Sequence, residues 1–304
     1  LAGLPGCGAG RAPLLRVATH VWPGYETLPL ARQMGWLDEG TVRLVELLSA
    51  TDALLALYNG TVEAAALTLD EVLAARAQGL ELRVAMIFNI STGADALVAR
   101  PDIDSLPALA GKRVGVEHSA VGALMLTEAL RRAGLTRAAL HLVPLTVDAH
   151  RQAYLDGRVD ALVTYQPTLR QLERAGARRL FDSRAIPGRI VDVLAITPEA
   201  LEQSHAGARQ LVAAHFRVLD WLREHPADAH PRMAQRLGLS ADEVADALAD
   251  LEQPDLQANR RWLMHTPAQL EAVAAELAAL MWRERLLPRE TGVAGLAYPG
   301  LLPA

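Results

Sequence analysis

Cysteine is nearly absent from this chain: Cys7 stands alone among 304 residues. A single thiol excludes an internal disulfide and a CxxC-type metal site. No stretch of about 20 apolar residues runs free of charge, so no segment reads as a membrane-spanning helix. No basic tract stands out either, with 30 Lys and Arg against 35 Asp and Glu and a net charge of −5. Nucleic-acid binding needs a clustered basic surface, so no nucleic-acid partner is expected. The GxSxG, HExxH and phosphate-cradling glycine motifs are missing. No His, Cys and carboxylate set has metal-ligand spacing, so neither a metal nor a cofactor is expected. The 51% apolar and 21% charged content lacks the bias of a disordered chain. The length suits two lobes of about 100–200 residues each.

Cys7 lies in Leu1-Ala2-Gly3-Leu4-Pro5-Gly6-Cys7-Gly8. A small residue before a lone Cys, with Leu4 three positions ahead, reads as the end of a lipoprotein signal peptide, and a lipidated Cys7 would tether the protein to a membrane surface. Pro5 departs from that pattern. The plainer reading is an incidental Cys in a flexible tail.

Strand and helix patterns then alternate. Strands are expected at 14–19, 42–47, 63–67, 82–88 and 94–99, then at 112–116, 141–145, 159–163, 178–181 and 190–196. Helices are expected at 27–34, 49–58, 68–78, 119–132, 148–155 and 165–173, with Gly35, Asn59-Gly60, Gly79 and Gly134 as stops. From Pro198 onward the pattern is almost wholly helical. Alternation of this kind predicts an α/β fold of two doubly wound lobes, with parallel sheets and helices on both faces. Residues 1–13 are expected to form a linker, 14–99 with 194–304 the first lobe, and 100–193 the second. The segments 94–99 and 190–196 would be the two crossovers, and the C-terminal helices would pack on the first lobe. The stripe Leu270, Val273, Leu277, Leu280 and Met281 falls at helical spacing and reads as core.

Several segments carry a resemblance when taken in order. They are Trp22-Pro23-Gly24-Tyr25-Glu26 with Leu30-Ala31-Arg32-Gln33-Met34-Gly35-Trp36, Gly60-Thr61-Val62-Glu63-Ala64-Ala65-Ala66, Gly111-Lys112-Arg113-Val114-Gly115-Val116-Glu117, and Leu155-Asp156-Gly157-Arg158-Val159-Asp160-Ala161. The chain resembles the nitrate/sulfonate/taurine and thiamine-pyrimidine-precursor group of periplasmic solute-binding proteins. That resemblance implies a type II periplasmic binding fold, in which two lobes close on one small solute and present it to an ABC permease. It also implies a periplasmic or cell-surface location, no catalysis, and a monomer as the form that suits the clamp.

Loops at the carboxyl ends of strands line ligand sites in such folds, and they supply the candidates. Trp22 and Tyr25 offer aromatic faces for a planar or cationic ligand, or else pack the lobe. His20 and Glu26 in the same loop read more simply as structural. Ser49 and Thr51 begin one helix, and Thr68 and Asp70 begin the next. Such termini bind anionic oxygens, and the same residue types serve as ordinary caps. Asn89 and Ser91 precede the first crossover, which contains Asp95. In the second half His118, Ser119, Thr164 and Tyr165 occupy the equivalent positions. Asp192 interrupts an apolar strand, where a carboxylate is costly unless it is paired, with Arg189 for example, or faces a polar cavity.

Asp70, Asp95 and Asp192 are expected to converge, and no Arg or Lys occupies these loops. An inorganic anion is normally met by cations or several helix N-termini. The candidates therefore favour an amine-bearing, zwitterionic or heterocyclic ligand over nitrate, and a sulfonate- or nitrate-like molecule stays open as the alternative. Two other classes share the clamp. Pyrimidine-precursor synthases and some menaquinone-pathway enzymes resemble this lobe pair, but the synthase type carries a cysteine cluster that this sequence lacks. Sensor domains come fused to a signalling or DNA-binding module, and no such module is visible in these residues.

Overall fold

The computed structural model describes residues 13–117, 120–265 and 268–304. Cys7, His118 and Ser119 lie outside the described residues. The first half of the fold alternates β1 (Leu15–Thr19), α1 (Thr27–Gln33), β2 (Val42–Glu46), α2 (Ala50–Tyr58), β3 (Ala64–Thr68), α3 (Leu69–Ala77) and β4 (Arg83–Ser91). The second runs through β5 (Asp95–Ala99), β6 (Arg113–Val116), α4 (Ala120–Ala133), β7 (His141–Pro144), α5 (Val147–Leu155), β8 (Ala161–Tyr165), α6 (Thr168–Arg174) and β9 (Arg178–Asp182). After β10 (Val191–Ile196) come α7 (Pro198–Gln203), α8 (His205–Glu224), α9 (Pro226–Leu237), α10 (Ala241–Ala249), the short β11 (Leu251–Glu252), α11 (Leu256–Met264) and α12 (Gln269–Arg283).

Two separate sheets result, ordered β11-β4-β10-β3-β1-β2 and β7-β6-β8-β5-β9. Their central strands are buried along their whole length: β3 reads Ala-Ala-Ala-Leu-Thr, and β5 and β10 are likewise covered on both faces. Continuous apolar runs of this kind need helices on both sides. α8 packs on α1 and β2, α11 on β4, and α12 on α3, so the C-terminal helices cover the first sheet as expected. Leu270, Leu277, Leu280 and Met281 are buried in that core.

Two expectations change. The sheets are mixed rather than parallel, because β10 runs antiparallel to β3 and β4, and β5 runs antiparallel to β8 and β9. Both strands follow a passage between sheets and so enter from the opposite end, a direction that an apolar run does not encode. Sheet membership also shifts the expected bounds. Residues 95–99 pair in the second sheet, and 191–193 already pair in the first. The passages between sheets are thus 92–94 and 183–190.

Gly93 occupies the first passage at φ 135°, a region closed to side chains. A Cβ there would sit 2.5 Å from Arg184 Nε and 2.8 Å from Asp250 Oδ1. Ser183 Oγ in the second passage lies 2.7 Å from Ser91 Oγ and accepts from Gly93 N–H at 2.7 Å. Arg184 Nε–H of the second passage also donates to the Thr92 carbonyl of the first at 3.1 Å, so the two passages are tied to each other.

Candidate functional site

Strand register brings the polar residues together. Asp192 of β10 stands opposite Thr68 of β3 on one side and Asn89 of β4 on the other. Asp95 of β5 stands opposite Tyr165 of β8 in the other sheet. The carboxyl ends of β3 and β8 face each other across a tight cavity of about 20 Å³. Trp22, Tyr25, Thr68, Glu71 and Asp192 line it from the first sheet's side, and Asp95, Val121 and Tyr165 from the second's. His20 and Ala50 complete the wall. A neighbouring hollow of about 10 Å³ shares Asp95, Val121 and Tyr165 and extends to Glu117, His150 and Thr164.

The aromatic wall is built edge to face. Trp22 meets Tyr165 with ring centres 5.6 Å apart, His20 meets Tyr25 at 5.3 Å, and His20 meets Tyr165 at 6.1 Å. Two of these contacts join the first loop to β8, so the two halves touch through their aromatic rims. Thr51 Oγ1 also donates to Glu117 Oε1 across the gap at 2.8 Å.

Asp192 is fully partnered. The Tyr25 hydroxyl donates to its Oδ1. With the Asn89 amide oriented to satisfy its neighbours, Asn89 donates to Asp192 Oδ2 at 2.8 Å and accepts from Trp22 Nε1–H at 3.3 Å. The carboxyl therefore pairs with Tyr25 and Asn89, and Arg189 plays no part among its bonds. Burial raises Asp192 well above the usual carboxylate range, with Asp95 and Asp70 adding to the shift.

The other acids are less well satisfied. Asp70 is fully buried, and neither of its oxygens has a hydrogen-bond partner. Asp95 Oδ2 and Glu71 Oε1 are equally buried and unpartnered, as is His20 Nδ1. Burial pushes Asp70 and Asp95 up to about 7, and Glu71 well above its usual value. Burial lowers His20 to about 4, so it stays neutral near pH 7. Among the described residues, no Arg or Lys lines the cavity.

The sequence-expected residues divide into groups. Trp22, Tyr25, Thr68, Tyr165 and Asp192 line the cavity. Asn89 lies behind it and orients Asp192. Asp70 lies close enough to raise Asp95 and Asp192, although it does not line the wall. Ser49 is a helix cap: its Oγ accepts from Asp52 N–H at 3.1 Å. Thr51 joins the halves through Glu117, and Ser91 belongs to the contact with Ser183. Thr164 faces the neighbouring hollow, where its Oγ1 lies 3.1 Å from His150 Nδ1. Asn89 and Ser91 lie in β4 rather than in a loop, because that strand runs to Ser91. Thr164 and Tyr165 likewise lie in β8, which ends two residues later than expected.

Glu71 and Glu117 were missed as site residues. Glu71 follows Thr68 at the spacing of a capping box, and Glu117 ends a strand just before the loop that supplied His118 and Ser119. His20, which reads more simply as structural in the sequence, lines the cavity, and Asp95 lines it too.

A family model described as NMT1/THI5-like matches residues 24–229. None of the curated proteins matches the chain in sequence. Among solved structures, the alkanesulfonate-binding protein SsuA from Xanthomonas axonopodis pv. citri, bound to MOPS, superposes with a TM-score of 0.79 at 20% identity, covering 95% of this chain and 99% of that one. The periplasmic aliphatic sulphonate-binding protein SsuA from Escherichia coli gives 0.73 at 20% identity over 96% and 99%. The desulfurization enzyme DSZB gives 0.68 at 20% identity over 95% and 97%. At these identities the likenesses establish the fold, a two-lobed periplasmic-binding-protein architecture.

Proposed function

This chain belongs to the NMT1/THI5-like family, and from that premise we propose that it is the extracytoplasmic solute-binding component of an ABC importer. It holds one small polar molecule between its two sheets, leaves that molecule unchanged and delivers it to a membrane permease. A monomer suffices, since both walls of the cavity come from one chain. The observation that carries this reading is the shared cavity, to which each sheet contributes aromatic faces and buried polar atoms. Hinged closure on a ligand is a shift between two populated states, driven by contacts made only in the closed one. The structural neighbours named for sulfonate binding in the periplasm support the role. Lipid attachment at Cys7 would hold the protein at the membrane where the permease works.

The rival is an enzyme on the same fold, as the DSZB neighbour illustrates. Native mass spectrometry after incubation with a small-molecule extract decides between them. A binder carries one added small molecule and releases it with its mass unchanged. Release of an altered molecule would make the chain an enzyme.

A further inference from the structure

We propose that the ligand is a small, flat organic cation rich in N–H donors, of the amidinium or guanidinium type, held between Glu71 of one sheet's side and Asp95 of the other. This rests on the solute-binding reading and names the ligand's chemistry.

Three observations carry it. First, two helix N-termini beside the cavity, those of α2 and α3, are engaged by the protein's own carboxylates. Helix N-termini bind anions through free N–H groups. At the start of α2, however, Glu117 Oε1 accepts from both Thr51 Oγ1, at 2.8 Å, and Thr51 N–H, at 3.4 Å. At the start of α3, Glu71 Oε2 accepts from Thr68 N–H at 2.9 Å.

Second, the acceptors left over point the other way. Glu71 Oε1 and Asp95 Oδ2 line the cavity, are more than nine-tenths buried and have no partner. Buried polar atoms are nearly always hydrogen-bonded, so this pair lacks donors. His20 Nδ1 and Thr68 Oγ1 are two further unpartnered polar atoms on residues of the same wall. Planar cations with paired N–H groups match carboxylates in two-bond geometry.

Third, Trp22, Tyr25 and Tyr165 supply the aromatic surface that attracts an organic cation. The other groups facing the cavity do not reverse its sign. Asp192 and Tyr25 are bonded to each other, and among the described residues no Arg or Lys is present.

The arrangement also gives closure a cause. Glu71, with Asp70 beside it, belongs to the first sheet's side, and Asp95 and Glu117 to the second's. At pH 8 Asp95, raised only to about 7, carries its charge, and burying that charge without a cation is costly. A cation between them removes that cost.

Calorimetry on the full chain at pH 8 tests this with benzamidine, its neutral isostere benzamide, and the anions benzoate and benzenesulfonate. Saturable binding of benzamidine is expected, at least 10-fold tighter than benzamide, with no binding of either anion. The Asp95→Asn variant, which keeps the shape of the side chain, should lose at least 10-fold in benzamidine affinity, with folding checked by circular dichroism. Binding of benzenesulfonate or benzoate in place of benzamidine would overturn the cation assignment and leave the solute-binding reading intact. Benzamide binding as tightly as benzamidine would overturn it too, as would no binding of any probe up to about 10 mM, the weak end of the affinity scale. Conversion of a probe would instead sink the solute-binding reading.

Discussion

Asp192 and Asp95 are both carboxyls interrupting apolar strands, and their surroundings give them different tasks. Asp192 accepts from Tyr25 and Asn89, so Asp192→Ala would leave a hydroxyl and an amide buried without an acceptor. Each such loss costs about 1–3 kcal/mol, and a thermal melt is expected to fall by several degrees. Asp192→Asn, which keeps one acceptor, should fall less.

Asp95 behaves in the opposite way. Its folded-state value of about 7 lies above the unfolded value of 3.8. The folded state therefore binds the extra proton between those limits, and the group costs stability as pH rises toward and through 7. Asp95→Asn removes that cost. The melting temperature of the variant minus that of the ligand-free wild type should be near zero at pH 4 and grow to a few degrees at pH 8. A difference that is constant with pH would contradict the assignment. Comparing the two chains also cancels the opposite contribution of His20, His150 and His215, whose lowered values of about 4, 4 and 3 cost stability on the acid side.

At the scale of elements, the joint between the sheets is the vulnerable point. Gly93→Ala would force a side chain into φ 135° and against Arg184 and Asp250. Strain of that kind costs about 1–3 kcal/mol, and a lower urea midpoint with an unchanged slope is the expected result. This joint also marks the limit of what the sequence discloses. Alternating patterns and caps such as Ser49 and Gly79 place most strands and helices before Pro198 within a residue or two, while the helices after it were expected only as a helical stretch. They do not say that 95–99 crosses into the second sheet, since β5 and β10 read alike and both are buried on each face. The site was legible to the same degree. Tyr25, Tyr165 and Asp192 stood out as polar or aromatic residues at strand ends, and the convergence of Asp70, Asp95 and Asp192 followed from topology. Glu71 and Glu117 did not stand out, because a capping position and a strand end explain them locally. Only the three-dimensional arrangement places Glu71 on the cavity wall and Glu117 against the start of α2 beside the neighbouring hollow.

Over the whole molecule, ion pairs bridge α6 and the second passage to α10 and the residue that follows it. Arg174 lies 3.1 Å from Glu243, Arg170 3.3 Å from Asp246, and Arg184 2.9 Å from Asp250. Exposed pairs are individually weak and are screened by salt, so the contact can release when the cavity is empty. The halves are thus held together by aromatic rims, apolar packing of α3 on α4, a few ion pairs and the Thr51–Glu117 bond, against the cost of burying acids without partners. A ligand that supplies positive charge shifts that balance by its differential affinity for the closed state.

The most direct measurement is the distance between spin labels placed on either side of the cavity mouth, at Leu48→Cys and Asp148→Cys in a chain carrying Cys7→Ser. It is read by double electron–electron resonance with and without saturating benzamidine, with calorimetry on the same sample confirming that the probe is bound. The account predicts a shorter and narrower distance distribution in the bound state. An identical distribution with the probe bound would contradict a clamp that closes on its ligand.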